Sequence, residues 1–389
     1  MGAKFDRGFR HFAVTLLTAI AKLKFNTKRV STEEVTPGAL IMCNHTSVWD
    51  FANLLYTMYP RHDMRFLATS VHYDKNKVVH SLFKHLGLIR KNQGSNDLQS
   101  VKEMMKASRA GDPVIIYAAG MTSFDGRQAW EPLPGIGSMP KLLKTDVFVG
   151  LSHGSFISAP RYCHETYRGR VDFELKRLYT AEEAARLSAD ELQQGISRAI
   201  RFNDWDWQEE HMVPFRHMKN LKNLSRTLYM CPACGREGEI IEKRGRLVCK
   251  ACGMEARRDR YGFFSSESPA CPKRMDKWVD LEISAIKREL EKENFALESE
   301  VTLFSRPENT TEKYACGGKG RLRLTKEGLS FEGKETLKYD LSAFQFIILS
   351  DTDAIIINAD HKSIRFVFED TRLITKWFFA HRAITGIEL

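Results

Sequence analysis

Apolar positions along this chain recur with two periods, and the places where the period changes outline its organisation. Between Pro37 and Arg201, short apolar runs alternate with helically spaced stretches. Ala39-Leu-Ile-Met-Cys43 predicts a buried strand, followed by a helix from Ser47. Met64 to Thr69 predicts a second strand and Val78 to Leu86 a helix. Asp97 to Ala110 is amphipathic and stops at Gly111-Asp-Pro113; Val114-Ile-Ile-Tyr117 and Val147-Phe-Val-Gly-Leu151 are again strands. Strands alternating with helices indicate an α/β domain on a mixed, largely parallel sheet. Val171 to Tyr179 alternates like a half-exposed strand, and Ser188-Ala-Asp-Glu191 opens a helix with a capping box.

The pattern then changes. A helix is predicted from Met218, with Leu221, Leu224 and Leu228 on one side and Arg216, Lys219 and Arg226 interleaved, leading into a cysteine module from Cys231 to Cys252. Met275, Trp278, Val279, Ile283, Ile286 and Leu290 mark a connecting helix. From about Gly318 the runs are short: Arg321 to Leu324, Leu329 to Phe331, Phe344 to Leu349, Ala354 to Ile357 and Ile364 to Phe368, before a last helix from Thr371 to Thr385. A small antiparallel sheet closed by a C-terminal helix is the reading.

At the other end, Phe5, Phe9, Phe12, Leu16, Leu17, Ile20 and Leu23 recur at helical spacing, with Lys4, Arg7, Arg10, Lys22 and Lys24 flanking. Two readings stand side by side: a helix lying in a membrane interface, or one packed on the domain. The apolar stretch Phe12–Ala21 falls short of the roughly 18–20 residues of a membrane span, and no small-residue cleavage site follows it. The expected divisions are 1–30 for this helix, 31–227 for the α/β domain, 228–265 for the cysteine module, 266–300 for a linker helix and 301–389 for the β domain.

Charge and cysteine usage narrow the setting. A formal net charge of +10 with pI near 9.1 points to a polyanionic partner, either anionic lipid or nucleic acid. A composition 43% hydrophobic and 28% charged excludes a disordered chain. Four of the eight cysteines form two Cys-x-x-Cys pairs, which argues for metal in a reducing, cytoplasmic compartment and against a disulfide framework.

The sharpest chemical signal is Asn44-His-Thr-Ser-Val-Trp-Asp50. His45 ends a predicted buried strand just before a helix, where ligand sites of open α/β sheets gather. Asp50 can accept a hydrogen bond from one imidazole nitrogen and stabilise the imidazolium, while the other nitrogen takes a proton from a hydroxyl. The plainer reading is that Ser47-Val-Trp-Asp50 is a capping box and His45 a satisfied loop histidine.

Asn44-His-x-Ser-x-x-Asp50 resembles the first signature block of the glycerolipid acyltransferase superfamily, which includes the glycerol-3-phosphate and lysophosphatidic acid acyltransferases. Gly87-Leu-Ile-Arg90 is similar to the second block, Val114-Ile-Ile-Tyr-Ala-Ala-Gly120 to the third, and Val149-Gly-Leu-Ser-His-Gly154 to the fourth, together covering about the first 210 residues. The resemblance implies acyl transfer from acyl-CoA or acyl carrier protein to the hydroxyl of a lysophospholipid-like acceptor, with His45 as general base and Asp50 its partner. It also implies that Arg90 holds an anionic group of the acceptor. The enzyme is then expected to be peripheral on the inner face of the membrane. Candidate substrate contacts are Asn44, Ser47, Arg90, Gly120, Thr122 and Ser123. The third block departs from the pattern: Ala119 stands where the family usually has glutamate, and no arginine follows Gly120 at the usual distance. Thr122, Ser123 and Asp125 are the polar groups on hand. His153 is more simply a structural histidine.

Cys231-Pro-Ala-Cys234 and Cys249-Lys-Ala-Cys252, each followed by glycine and separated by 14 residues, make two knuckles that complete a tetrahedral Zn2+ site. Four thiolates leave no open position, so the zinc is structural, and the module resembles a zinc ribbon. Gly318 to Gly333 resembles the opening hairpin of PH-like and GRAM-type domains, with Lys319, Arg321 and Arg323 on one strand face as a lipid-headgroup surface or as charges guarding an edge strand. Two other functions compete. One is a catalytically silent lipid-binding scaffold, motivated by Ala119. The other is a zinc-ribbon nucleic-acid-binding protein using Tyr229, Tyr261 and Phe263, which leaves the four ordered blocks unexplained.

Overall fold

The computed structural model describes residues 2–61, 63–92, 97–128, 132–163, 165–308, 310–344, 348–350 and 353–386. The chain divides into two compact units, Met1–Arg161 with Glu165–Arg216, and Tyr162–His164 with His217–Leu389.

The first unit opens with helix α1 (Gly2–Phe25) and strand β1 (Thr27–Thr32). There follow β2 (Leu40–Cys43), α2 (Asp50–Met58), β3 (Arg65–Thr69), α3 (Lys77–Leu86), β4 (Ile89–Lys91), α4 (Leu98–Arg109) and β5 (Val114–Tyr117). The last major elements are β6 (Val147–His153), β7 (Val171–Tyr179), α5 (Ala189–Ile200) and α6 (Asp204–His211). The seven strands form one sheet in the order β1-β7-β6-β2-β5-β3-β4. Every pairing is parallel except β6 with β7, so the sheet is mixed and largely parallel.

Both faces of this sheet are covered, which is why its central strands read as unbroken apolar runs. Ile41, Cys43, Leu54, Leu55, Phe148 and Phe173 pack on the side of α1 and α2. Leu40, Met42, Met104, Val114, Val149, Ile196 and Ile200 pack on the side of α4 and α5. The predicted capping box is present: Ser188 Oγ accepts from Glu191 N, and Glu191 Oε2 accepts from Ser188 N.

Several expectations are corrected. The helix does not begin at Ser47; residues 44–49 form a loop and α2 starts at Asp50. β7 is an interior strand whose first half is buried on both sides, and only its second half is exposed. The polar edge strand β1 carried no recognisable strand pattern. On α1 the buried positions are Val14, Ala21 and Phe25, while Phe12 (65% exposed), Leu16 (50%) and Leu23 (69%) of the predicted stripe face outward.

In the second unit the helix predicted from Met218 shrinks to one turn, Leu224–Thr227. His217 and Asn223 both take positive φ, 64° and 65°, which a continuous right-handed helix cannot contain. The cysteine module is a four-stranded antiparallel sheet of β8 (Ile240–Lys243), β9 (Arg246–Cys249), β10 (Glu255–Arg258) and β11 (Phe264–Ser265). Helix α7 (Met275–Leu290) follows, with Trp278 buried and its Nε1 donating to Met230 O at 2.8 Å.

The C-terminal sheet has seven strands: β12 (Ala296–Pro307), β13 (Ala315–Thr325), β14 (Gly328–Gly333), β15 (Thr336–Asp340), β16 (Ile348–Ser350), β17 (Ala354–Ala359) and β18 (Lys362–Phe368). Their order is β15-β14-β13-β12-β18-β17-β16, antiparallel throughout. Helix α8 (Ile374–Ile384) is buried from Ile374 to Arg382. The run predicted from Phe344 to Leu349 lies in part, at 345–347, outside the described residues. Central β12 escaped the reading, which ran the linker helix to residue 300 and named no strand of this sheet before Arg321. β13 is likewise no edge strand: it lies between β12 and β14, and acidic side chains pair with its basic residues. Arg323 contacts Glu298, Arg321 lies 3.5 Å from Glu300, and Lys319 lies 2.5 Å from Glu369.

Candidate active site and cysteine cluster

β2 delivers His45 to the carboxyl edge of the sheet, and α2 starts with Asp50, so the loop between them sets the approach of the two side chains. His45 Nδ1 lies 3.1 Å from Asp50 Oδ2. The same oxygen accepts from Thr46 N at 2.7 Å and Ser47 N at 2.9 Å, and Oδ1 accepts from Ser155 Oγ at 2.6 Å. A carboxylate with donors on both oxygens acts as acceptor throughout, which assigns the N–H to His45 Nδ1 and the ring lone pair to Nε2. Half of a capping box is therefore real, in the Ser47 N–H to Asp50 contact. The other half is missing, because Ser47 Oγ accepts from Trp49 N instead. Asp50 shapes the loop and orients the imidazole with one group.

His45 is further fixed. Its backbone N–H donates to Gln128 Oε1 at 2.7 Å, its carbonyl accepts from Ser123 N at 2.8 Å, and its ring stacks on Tyr117 at 4.3 Å between centroids. The histidine side chain is 22% exposed and Asp50 only 1%. This arrangement suits a base that must meet a substrate and a counter-charge that must not meet water. The buried Tyr117 hydroxyl has no hydrogen-bond partner among the described residues, and burial raises its pKa well above the usual phenol value.

The other predicted residues separate into those that frame the dyad and those that stand apart. Asn44 turns both ends of its amide to Ser152, donating to O at 3.1 Å and accepting from N at 2.9 Å, and so ties β2 to β6. Ser47 Oγ is spent on Ala159 O and Trp49 N. Ser123 Oγ accepts from Gly126 N at 2.9 Å, closing the turn after the third block. Thr122 is buried, and its carbonyl accepts from Arg161. Gly120 has φ +69°, and a Cβ there would stand 2.7 Å from Leu133, so this position demands glycine for backbone reasons. Arg90 stands apart. It is three strand positions from β2, about 14 Å at ordinary strand spacing, and its guanidinium pairs with buried Asp74 and donates to Asn92 Oδ1 at 2.6 Å. His80 Nδ1 contacts the same Asp74 at 3.0 Å. His153 packs edge-on to Phe202, 3.4 Å from Glu174, and burial lowers its pKa; it is a core histidine.

Sequence reading missed Ser155, Gln128 and Asp204. Ser155 lies one residue beyond the fourth block, and nothing in the chain links it to Asp50, 105 positions away. Asp204 is fully buried and accepts from Gly154 N at 2.5 Å and Phe156 N at 2.9 Å; burial raises its pKa to about 8 against the pull of these bonds.

The four cysteines of the module converge, with all four sulfurs within 4.8 Å of one another. Cys231 and Cys252 are 3.7 Å apart and Cys234 and Cys249 3.8 Å, far beyond a disulfide bond. A tetrahedron of thiolates about 2.3 Å from a central Zn2+ has edges of about 3.8 Å, so the residues fit such an ion. Each knuckle closes through a glycine N–H, Gly235 to Cys231 O at 2.8 Å and Gly253 to Cys249 O at 2.9 Å. The Met254 N–H brings the Cys252 thiol down to about 7, towards the thiolate that a metal needs, while burial pushes Cys231 and Cys249 up.

No curated protein matches the chain. Among solved structures, the 1-acyl-sn-glycerophosphate (LPA) acyltransferase PlsC from Thermotoga maritima is similar at a TM-score of 0.40 and 14% identity, over 49% of this chain and 78% of that one. Residues 24–149, which hold His45, Asp50, Arg90, Gly120, Thr122 and Ser123, match the family model described as Acyltransferase.

Proposed function

We propose that this chain moves a fatty acyl group from the thioester of acyl-CoA or acyl carrier protein to a hydroxyl of a lysophospholipid-like acceptor of the 1-acylglycerol-3-phosphate type. The observation that carries this reading is the His45–Asp50 contact at 3.1 Å inside the segment matched by the Acyltransferase family model. Nε2 of His45 takes the proton of the acceptor hydroxyl, and the oxygen attacks the thioester carbonyl. The tetrahedral intermediate then expels the thiolate, which recovers the proton from the imidazolium as the ester forms. Asp50 stabilises the imidazolium between these steps. Asn44, Ser47 and Ser123 all engage their side chains within the protein, so Thr122 and the Gly120 turn are the candidate contacts that remain.

Zn2+ on Cys231, Cys234, Cys249 and Cys252 is a structural ion in this reading. The strand order of the C-terminal sheet and its closing helix support a PH-like domain. The acids beside Lys319, Arg321 and Arg323 weigh against that face as a headgroup site. The exposed Phe12, Leu16 and Leu23 of α1, among basic residues, support peripheral attachment to an anionic membrane on its inner face. Among the described residues no helix is long and apolar enough to cross a membrane.

A second reading, a catalytically silent lipid-binding scaffold, is favoured by Ala119 and by the engagement of Arg90 with Asp74. The deciding assay follows thioester consumption against a panel of lysophospholipids, wild type beside His45→Ala. Acyl transfer that His45→Ala abolishes supports the enzyme; no turnover with any acceptor leaves the scaffold.

A further inference from the structure

Asp50 distributes its donors unequally. Oδ2 takes His45 Nδ1, Thr46 N and Ser47 N, whereas the only hydrogen bond to Oδ1 among the described residues is that of Ser155 Oγ. Ser155 lies on a single helical turn, Ser155–Ser158, immediately after β6. Its hydroxyl has a second neighbour, Asn53 Nδ2 at 3.3 Å. An amide NH2 only donates and a carboxylate only accepts, so the single Ser155 hydrogen is directed at Asp50. With the Ser155 hydrogen on Asp50, Ser155 Oγ can only accept from Asn53, so the amide turns its Oδ1 to Thr27 Oγ1 at 2.7 Å; that hydroxyl also lies 3.2 Å from Ala21 O. Thr27, Asn53, Ser155 and Asp50 are all buried. The turn itself is clamped by Asp204, which accepts from Gly154 N and Phe156 N on either side of Ser155.

On the proposed reading of the site as a general-base dyad, we propose that Ser155 is a positioning residue for it. Its hydroxyl pins Asp50 Oδ1, and with it the carboxylate plane that receives the His45 Nδ1–H. Asn53 and Thr27 aim the hydroxyl. Without Ser155, Oδ1 is a buried carboxylate oxygen with no donor, and the carboxylate turns about its Cβ–Cγ bond to share the three donors now crowded on Oδ2. The His45 bond loosens first, because its ring is the partner not fixed by the backbone. Ser155 never touches substrate.

The test uses the full chain with Ser155→Ala, Ser155→Thr and Asp50→Asn/Ser155→Ala. Ser155→Ala should lower kcat about 10- to 100-fold, the range that a hydrogen bond to a charged group is worth, with the KM for thioester within about twofold. Ser155→Thr, which keeps the hydroxyl, should recover most of it. The double variant should fall short of additivity: Ser155→Ala should slow Asp50→Asn by less than it slows wild type, since the charge that the hydroxyl holds in place is gone. The readout independent of turnover is the 15N spectrum of labelled histidines, with His45 identified through His45→Ala. Its Nδ1–H signal should be a single tautomer in wild type and shift towards a mixture in Ser155→Ala. If Ser155→Ala fails to fold, Asn53→Leu, which removes the donor aiming the hydroxyl, should show a smaller effect of the same kind. An unchanged kcat with an unchanged His45 signal, or full additivity with Asp50→Asn, overturns the proposal. Absence of wild-type turnover together with a shifted His45 signal sinks the acyltransferase reading and leaves the positioning role standing; with an unshifted signal, both fall.

Discussion

Replacing Asp50 by asparagine separates charge from shape at the dyad. An asparagine can present its oxygen to the Thr46 N–H, the Ser47 N–H and the His45 Nδ1–H, and its NH2 to Ser155 Oγ, which can turn to accept. The loop, the imidazole orientation and the tautomer are then all retained, and only the negative charge is lost. A unit charge 3.1 Å from the imidazolium contributes about 5 kcal/mol at an effective dielectric near 20. His45 is 22% exposed, so water recovers part of that, leaving about 3–4 kcal/mol. Asp50→Asn should therefore reduce kcat about 100- to 1000-fold with little change in KM or in melting temperature. Steady-state thioester consumption across acceptor concentrations, beside a thermal melt, measures both. A kcat within tenfold of wild type would refute the reasoning, since it would mean that no imidazolium forms in the slow step. A collapse of the melt would show that the asparagine cannot serve the loop donors.

Three further outcomes follow from the geometry. Cys234→Ser should lose one equivalent of bound zinc by elemental analysis and lower the melting temperature of the full chain, and strong chelators should reproduce the loss in wild type. Asp204 carries a folded pKa of about 8 against an ordinary 3.8, so its contribution to stability is full below about pH 4 and disappears as pH rises through 8. Across that window stability falls by about 1.4 kcal/mol for each step of one in pH. Asp204→Asn should flatten urea midpoints between pH 4 and pH 8; an equally sloping curve would count against it. Lys376, buried on α8, contacts Glu237 at 2.6 Å and Glu289 at 2.8 Å, and Lys376→Met should cost about 2–4 kcal/mol in urea unfolding because two partly buried carboxylates lose their counter-charge.

What the sequence made legible follows from where the physics is local. β2 and β5 read as strands because both their faces are buried, and a doubly buried strand leaves an unbroken apolar run. The helix at Ser188 was readable because a capping box is a contact between residues three apart. The His45–Asp50 pair and the two cysteine knuckles were legible for the same reason. β1 and β12 were missed because their outward positions carry Thr, Lys, Glu and Ser, and β1 also has its partner β7 far along the chain. The helix expected from Met218 failed at His217 and Asn223, whose left-handed backbone no apolar spacing reports. Ser155 and Asp204 were invisible because their partners are fixed by sheet order. Arg90 shows the converse: its position in the chain suggested an anion site, but a buried carboxylate 16 residues earlier already holds its guanidinium.

The charged face of β13 acquires a different meaning from its pairing with β12. Glu298 stands opposite Arg323, Glu300 opposite Arg321 and Thr302 opposite Lys319. Shifting the two strands by two residues would keep every side chain on its own face, yet one direction would leave Arg323 opposite Ala296 and the other would leave Glu298 opposite Thr325 and Arg321 opposite Thr302. The alternation of acids and bases thus acts as an address for strand pairing in a ribbon of 12 and 11 residues, where apolar burial alone tolerates a slip by two. Reversing both members of one pair should preserve the fold, whereas reversing one member of each should let the ribbon slip.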